Sequence, residues 1–209
     1  MGAIAILPAP AGAETLDRVV ASIGNNAITR SDVVEEYRFE RFLDGKPPVG
    51  TPGQDERQAV LGRLISQNLL TSQMRMPARQ SKNGAKNAAE TLQDVRKKFP
   101  NEEAYRAAIQ SLGMTEPQVL KRLELYQHTL QMIDNRLRPG ALPDPGEVEN
   151  YYKKTFLPEY AKGHPGSPPP LDDVREQIRE ILVQEKMNQL LGKWLDRLKS
   201  THRVTIHSD

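Results

Sequence analysis

The sequence predicts a mainly α-helical protein with a small β-sheet formed by its N- and C-terminal strands. Two observations predict the helices. Val119, Leu123, Tyr126, Leu130, Ile133 and Leu137 recur at alternating four- and three-residue steps, a sustained apolar seam. Val174, Ile178, Ile181/Leu182, Met187, Leu190/Leu191, Trp194 and Leu198 form a second long stripe, and the two are expected to pack together. A third observation predicts the sheet. Val19–Ile23 near one end and Arg203-Val-Thr-Ile-His207 at the other are rich in β-branched residues. Each leaves backbone groups unpaired unless it pairs with the other.

The elements follow in order. After Val19–Ile23, Gly24-Asn25-Asn26 supplies residues that tolerate positive φ, so a tight turn is expected, with Ile28 and Thr29 in a brief return strand. Thr29 or Ser31 caps a first helix that ends near Gly45, with Asp32, Glu35 and Glu36 at its positive end. Lys46-Pro-Pro-Val-Gly-Thr-Pro-Gly53 is a loop. A second helix runs from Gln54 to Met76, striped by Val60/Leu61, Leu64/Ile65 and Leu69. Residues Ala78–Ala88 are polar and Gly-containing, and read as loop or frayed helix. A weakly amphipathic helix spans Ala89–Phe99. A short one follows Pro100 and stops at Gly113, where a left-handed C-cap is expected. Thr115 caps the long helix of the first seam, with Pro117 in its first turn. Asp144 and Pro145 open a shorter helix to Phe156. A Pro- and Gly-rich connector, Leu157–Pro170, precedes the last long helix, Leu171 to about Ser200.

Composition bounds the function. Charged residues are 27% of the chain, yet the net charge is only +2, with Lys and Arg interleaved among Glu and Asp. That pattern describes solvated helix faces and excludes a nucleic-acid groove. There is no cysteine, which removes disulfides, thiol catalysis and Cys-based zinc sites. No apolar run approaches the roughly 20 residues needed to span a bilayer. Residues 1–13 read as the remnant of an export signal or a disordered tail. Ala3-Ile-Ala-Ile-Leu7 is an apolar core and Ala11-Gly12-Ala13 a small-x-small cleavage site, without the usual basic start.

Val20, Ala21, Ile23, Asn25, Ile28, Thr29, Ser31 and Asp32 resemble the V-A-x-V-N-x-x-x-I-T-x-S-D opening of the SurA-type periplasmic chaperones, with Gly24 a departure. Phe99-Pro-Asn-Glu-Glu-Ala-Tyr-Arg-Ala-Ala-Ile-Gln-Ser-Leu-Gly-Met-Thr is similar to a second motif of that family. Asp144-Pro-Gly-Glu-Val-Glu-Asn-Tyr-Tyr and Leu171-Asp-Asp-Val-Arg-Glu-Gln-Ile-Arg resemble two more. The resemblance implies one SurA N-like helical domain over 14–209, exported to the periplasm. Family members with isomerase activity carry a parvulin-type domain after the Tyr-Tyr helix. Here only Leu157–Pro170 fills that place, far below the roughly 50 residues of a domain. The implied product is a chaperone-like core that is not an enzyme.

The residues themselves offer little covalent chemistry. His128, His164, His202 and His207 show no metal-ligand spacing, and no cofactor is expected. The carboxylates Glu102, Glu103, Asp172 and Asp173 sit in first helical turns, where dipole compensation accounts for them. There is no phosphate-binding Gly loop and no nucleophile elbow. What remains is an apolar surface for unfolded polypeptide clients: Tyr37, Phe39, Phe42, Met74, Met76 and Met114. Aromatic and Met side chains suit contacts with unrelated apolar sequences. The expected function is an ATP-independent holdase for unfolded envelope or outer-membrane proteins. The alternatives are a helical scaffold whose seams form a homodimer, or a partner of a separately encoded prolyl isomerase.

Overall fold

The computed structural model describes residues 17–74, 82–163 and 166–207. The expected segment 1–13 lies outside them. The element order is β1 (Val19–Ile23), β2 (Asn26–Thr29), α1 (Arg30–Leu43), α2 (Gln54–Ser72), α3 (Lys82–Lys97), α4 (Glu102–Ser111) and α5 (Glu116–Ala141). Then come α6 (Pro145–Tyr151), a π-helical turn (Tyr152–Phe156), α7 (Leu157–Gly163), α8 (Leu171–Thr201) and β3 (Val204–Ile206). The protein is mainly helical, with one small antiparallel sheet ordered β2-β1-β3. Ala21 faces Ile206 and Ile23 faces Val204, so the terminal strands pair as expected.

Local chemistry accounts for the element ends. Gly24 has φ +55° at the first of two positions linking β1 to β2, where a type II′ hairpin favours glycine. Thr29, not Ser31, caps α1. Asp32 lies three residues on, so the Thr29 hydroxyl accepts from Asp32 N–H (3.2 Å) while Thr29 N–H donates to the Asp32 carboxylate (2.8 Å). Ser31 N–H instead donates to Asp17. After α1, Gly45 has φ +75°, and a Cβ there would stand 2.5 Å from the Lys98 Cβ. Glycine is needed twice over at that position, for conformation and for space. Asn101 caps α4 and Asp144 caps α6, each side chain accepting from the backbone N–H three residues on.

Three element boundaries differ from expectation. α2 closes at Ser72, whose hydroxyl donates to the Leu69 carbonyl (2.6 Å). α3 begins at Lys82, well before Ala89. The cause is tertiary: Gly84 packs flat against α5, where a Cβ would stand 3.0 Å from the His128 ring. Packing overrides the weak helix propensity of that stretch. Half of the expected connector is also helix. Leu157 N–H bonds the Tyr152 carbonyl, five residues back, and α7 continues through Pro158 in its first turn.

The described apolar residues form three cores. The first joins Val20, Ile23 and Ile28 of the sheet to Val33, the α2 stripe, Ile133–Ala141 of α5 and Val183–Leu198 of α8. Trp194 is buried there, under the Arg136 guanidinium (4.6 Å to the ring). The second core holds Phe39, Phe42, Leu92, Val95, Phe99, Tyr105, Ile109, Val119 and Leu123. The third is small: Val148, Val174 and Ile178, with half-buried Tyr151, Tyr152, Phe156, Leu171 and Leu182 against it. The α5 and α8 stripes pack together as expected, but only through the C-terminal half of α5. Its N-terminal half, with Val119 and Leu123, belongs to the second core with α3 and α4.

Candidate peptide-binding surface

The six residues read as a client surface do not form one. Phe42 is fully buried and Phe39 nearly so. Phe42 packs on Phe39, Phe99 and Tyr105 with ring centroids 6.3, 5.6 and 6.0 Å away. Both phenylalanines are core, which corrects the expectation that they face clients. The wide apolar arc on α1 has a different cause: successive turns of the helix enter different cores, Val33 the first and Phe39 and Phe42 the second. Tyr37 is half-buried against the first core, with Arg41 over its ring (5.7 Å). Met114 is half-buried against the second. Met74 is half-buried and its sulfur accepts from the Thr129 hydroxyl (3.6 Å). Met76 lies outside the described residues.

An exposed apolar patch lies instead on the middle of α5. Tyr126 and Leu130 are 52% and 41% exposed. At 100° per residue they share one face with Val119, Leu123, Ile133 and Leu137, all of them buried. The seam is therefore covered at both ends and open between them, where α5 passes from the second core to the first. Leu125, also exposed, lies on the other side of Thr129, the residue that Met74 covers. Sequence reading missed this window because Tyr126 and Leu130 obey the same periodicity as their buried neighbours. Periodicity marks a face, not what covers it.

The flanks of the window are held rigidly. Arg122 lies over the Phe39 ring (4.0 Å to the centroid) and pairs with Glu36, both half-buried, tying α5 to α1. Thr129 also donates to the Leu125 carbonyl (2.9 Å), which satisfies its buried hydroxyl within the helix. Together these contacts fix the backbone under the exposed side chains.

The titratable groups of this region are structural. Burial pushes the Tyr105 hydroxyl up to about 12, and the nearby Glu116 carboxylate adds to the shift. That hydroxyl makes no hydrogen bond of ordinary geometry among the described residues. The hydrogen bond from Arg96 holds the Glu102 carboxyl below its usual range. His202 Nδ1 meets the Leu198 carbonyl (3.0 Å), and His207 Nε2 meets the Ser22 hydroxyl (2.9 Å). No cluster of His, Cys, Asp and Glu among the described residues could hold a metal ion. A surface depression runs along α3, lined by Lys86, Ala89, Glu90, Gln93, Asp94 and Lys97. Its charges pair along the helix, Lys86 with Glu90 and Lys97 with Asp94, and it encloses nothing.

No described helix is long and apolar enough to cross a membrane. No protein-family model, no curated protein and no solved structure matches this chain.

Proposed function

We propose that this chain is a periplasmic, ATP-independent holdase of the SurA type that binds unfolded polypeptide segments through the open middle of α5. The observation that carries the reading is the exposure of Tyr126 and Leu130 on a stripe that is buried to either side. An unfolded envelope protein presents scattered apolar side chains. Burying them on this window yields about 25 cal/mol per Å² of apolar area, without directional bonds and so without sequence specificity. The half-buried Met74 beside it adds a side chain that adapts to different partners. Catalysis plays no part in this reading. The sequence motifs around Val20–Asp32 and Phe99–Thr115 support it independently of the window.

The test is suppression of aggregation of an unfolded outer-membrane protein, with binding measured at low and high salt. Hydrophobic capture survives added salt, whereas charge pairing weakens with it. The double substitution Tyr126→Ser, Leu130→Ser removes suppression and leaves the fold intact. Unchanged suppression by that variant moves the site elsewhere. Failure of the wild type on every unfolded client ends the holdase reading. The same open seam also suits the scaffold reading, in which a second copy covers it. Dilution separates the two: a dimer dissociates and loses activity, while a monomeric holdase keeps it.

A further inference from the structure

β3 forms one edge of the sheet, and its register fixes which backbone groups face outward. Ala21 pairs with Ile206, Ser22 with Thr205 and Ile23 with Val204. His207 N–H donates to the Val20 carbonyl at 2.9 Å, which continues the same register. Hydrogen-bonded and non-hydrogen-bonded pairs alternate along an antiparallel ladder. Val20 with His207 is a hydrogen-bonded pair, so Ser22 with Thr205 is the next one. Thr205 therefore turns its N–H and C=O toward β1, while Val204 and Ile206 turn theirs away. No hydrogen bond among the described residues reaches these outward groups. The side chains leave the edge open as well. Thr205 is exposed on the side of Ser22, whose hydroxyl meets His207 Nε2. Val204 and Ile206 lie on the opposite side, with buried Ala21 and Ile23. Val204 is half-buried against the first core, yet Ile206 is 65% exposed. Edges are commonly guarded by charge or proline, and Val204-Thr205-Ile206 has neither.

An edge with free donors and acceptors takes a further extended strand. The strand that matches this one residue for residue is its own copy. With a two-fold axis through Thr205, Val204 stands opposite Ile206 of the partner subunit, and Ile206 opposite Val204 of the partner subunit. Both residues face outward, so each pair exchanges two backbone hydrogen bonds and every outward group finds a partner. Ile206 then packs beside Val204 of the partner subunit and loses water. Thr205 meets Thr205 of the partner subunit in a non-hydrogen-bonded pair, and facing threonines are a favourable cross-strand match. A shift of one residue would set Thr205, whose backbone groups are spent on β1, against an outward-facing residue. Donor and acceptor complementarity thus selects one register. We propose that two copies of this protein join through β3 about that axis, in one sheet ordered β2-β1-β3-β3-β1-β2. The contact is isologous and closes at two copies. β3 has only three residues, so the dimer is weak and concentration-dependent. It uses none of the α5 window residues.

The experiment uses the full chain, which has no cysteine of its own. Thr205→Cys places a thiol on the two-fold axis, where the facing Cα atoms, about 4.5 Å apart, suit a disulfide. In a glutathione redox buffer this variant forms a covalent dimer in about tenfold higher yield than Ala27→Cys. Ala27 is the control because it also pairs with Ser22 and is exposed on the same side of the sheet. Adding Ile206→Pro deletes an outward N–H and leaves the bonds to β1 in place, since proline is tolerated where the N–H faces solvent. It lowers the yield from Thr205→Cys about tenfold. Equal yields from the two cysteine variants overturn the proposal, as does a yield that Ile206→Pro leaves unchanged. Sedimentation equilibrium of the wild type gives a second reading that needs no variant. Its apparent mass rises from monomer toward dimer as the concentration approaches the order of millimolar, the range of a weak contact. A wild type that stays monomeric there overturns the proposal, including one that binds an extended client peptide at β3 instead.

Discussion

Two aromatic clusters in this protein are built from the same residue types and end in opposite states. Phe39, Phe42, Phe99 and Tyr105 close on one another inside α1, α3, α4 and α5, and all are buried. Tyr152 and Phe156 pack against the third core, Tyr160 follows Phe156 along the same helical run, and all three stay half-exposed. The difference is the number of layers. Rings surrounded by several elements lose water on every side, while rings on a helix with one neighbour lose it on one side only. Aromatic chemistry therefore does not by itself mark a binding surface here.

The largest effect that tests this comparison is on stability. Phe42→Ala costs about 3–5 kcal/mol, because the buried ring leaves a cavity among three others. Phe156→Ala costs about 1–2 kcal/mol, in proportion to the smaller area it removes from water. Urea denaturation of the two variants measures both, and equal losses break the contrast. Trp194→Ala costs roughly 3–5 kcal/mol, with the stacked Arg136 left without its ring. A loss well below 1 kcal/mol there means that the first core is looser than its burial indicates.

Gly45→Ala comes next. It places a Cβ against Lys98 at a positive φ, for a loss on the order of 1–3 kcal/mol. Since the joint it disturbs belongs to the second core, near-UV signals of Phe42 and Tyr105 should change while Trp194 fluorescence does not. Tyr126→Ser and Leu130→Ser cost only about 0.5 kcal/mol or less, as surface substitutions do. A larger thermal shift would show that the α5 window is covered in solution.

The smallest effect separates the clusters by pH. The hydrogen bond from Lys186 Nζ (2.6 Å), and then that from Asp144 N–H (2.9 Å), hold the Glu147 carboxyl below its usual range, beside the third core. A carboxyl with a depressed folded-state pKa contributes stability above its unfolded pKa and loses it as pH falls through the folded value. Tyr105 has the opposite sign. Its raised pKa leaves stability intact below the ordinary phenol value near 10 and removes it as pH climbs toward about 12. Acid therefore loosens the α6–α8 junction, and alkali loosens the second core. Hydrogen exchange at Val148 and Ile109 across both ranges measures this, and Lys186→Met flattens the acid limb alone.

Much of the fold was readable from short stretches. Thr29 with Asp32, Asn101, and Asp144 with Glu147 marked helix starts because a cap involves residues only three apart. Gly24, Gly45 and Gly113 marked turns because positive φ is a property of one residue. The β1–β3 pairing was readable too, since the hairpin with β2 covers one edge of β1 and leaves the other edge for β3. The candidate site was less so. Phe39 and Phe42 were read as exposed and Tyr126 and Leu130 as buried, and each pair proved the reverse.

By itself, then, the sequence determined helices, caps, turns and apolar faces, because those depend on neighbours within a turn or two of chain. Only the tertiary structure decided that α1 and α5 each serve two cores, that α3 extends to meet His128 at Gly84, and that the middle of one seam stays open. The physical reason is that burial is a property of pairs of elements distant in sequence. A stripe records the side that seeks cover, while the cover depends on where another helix ends.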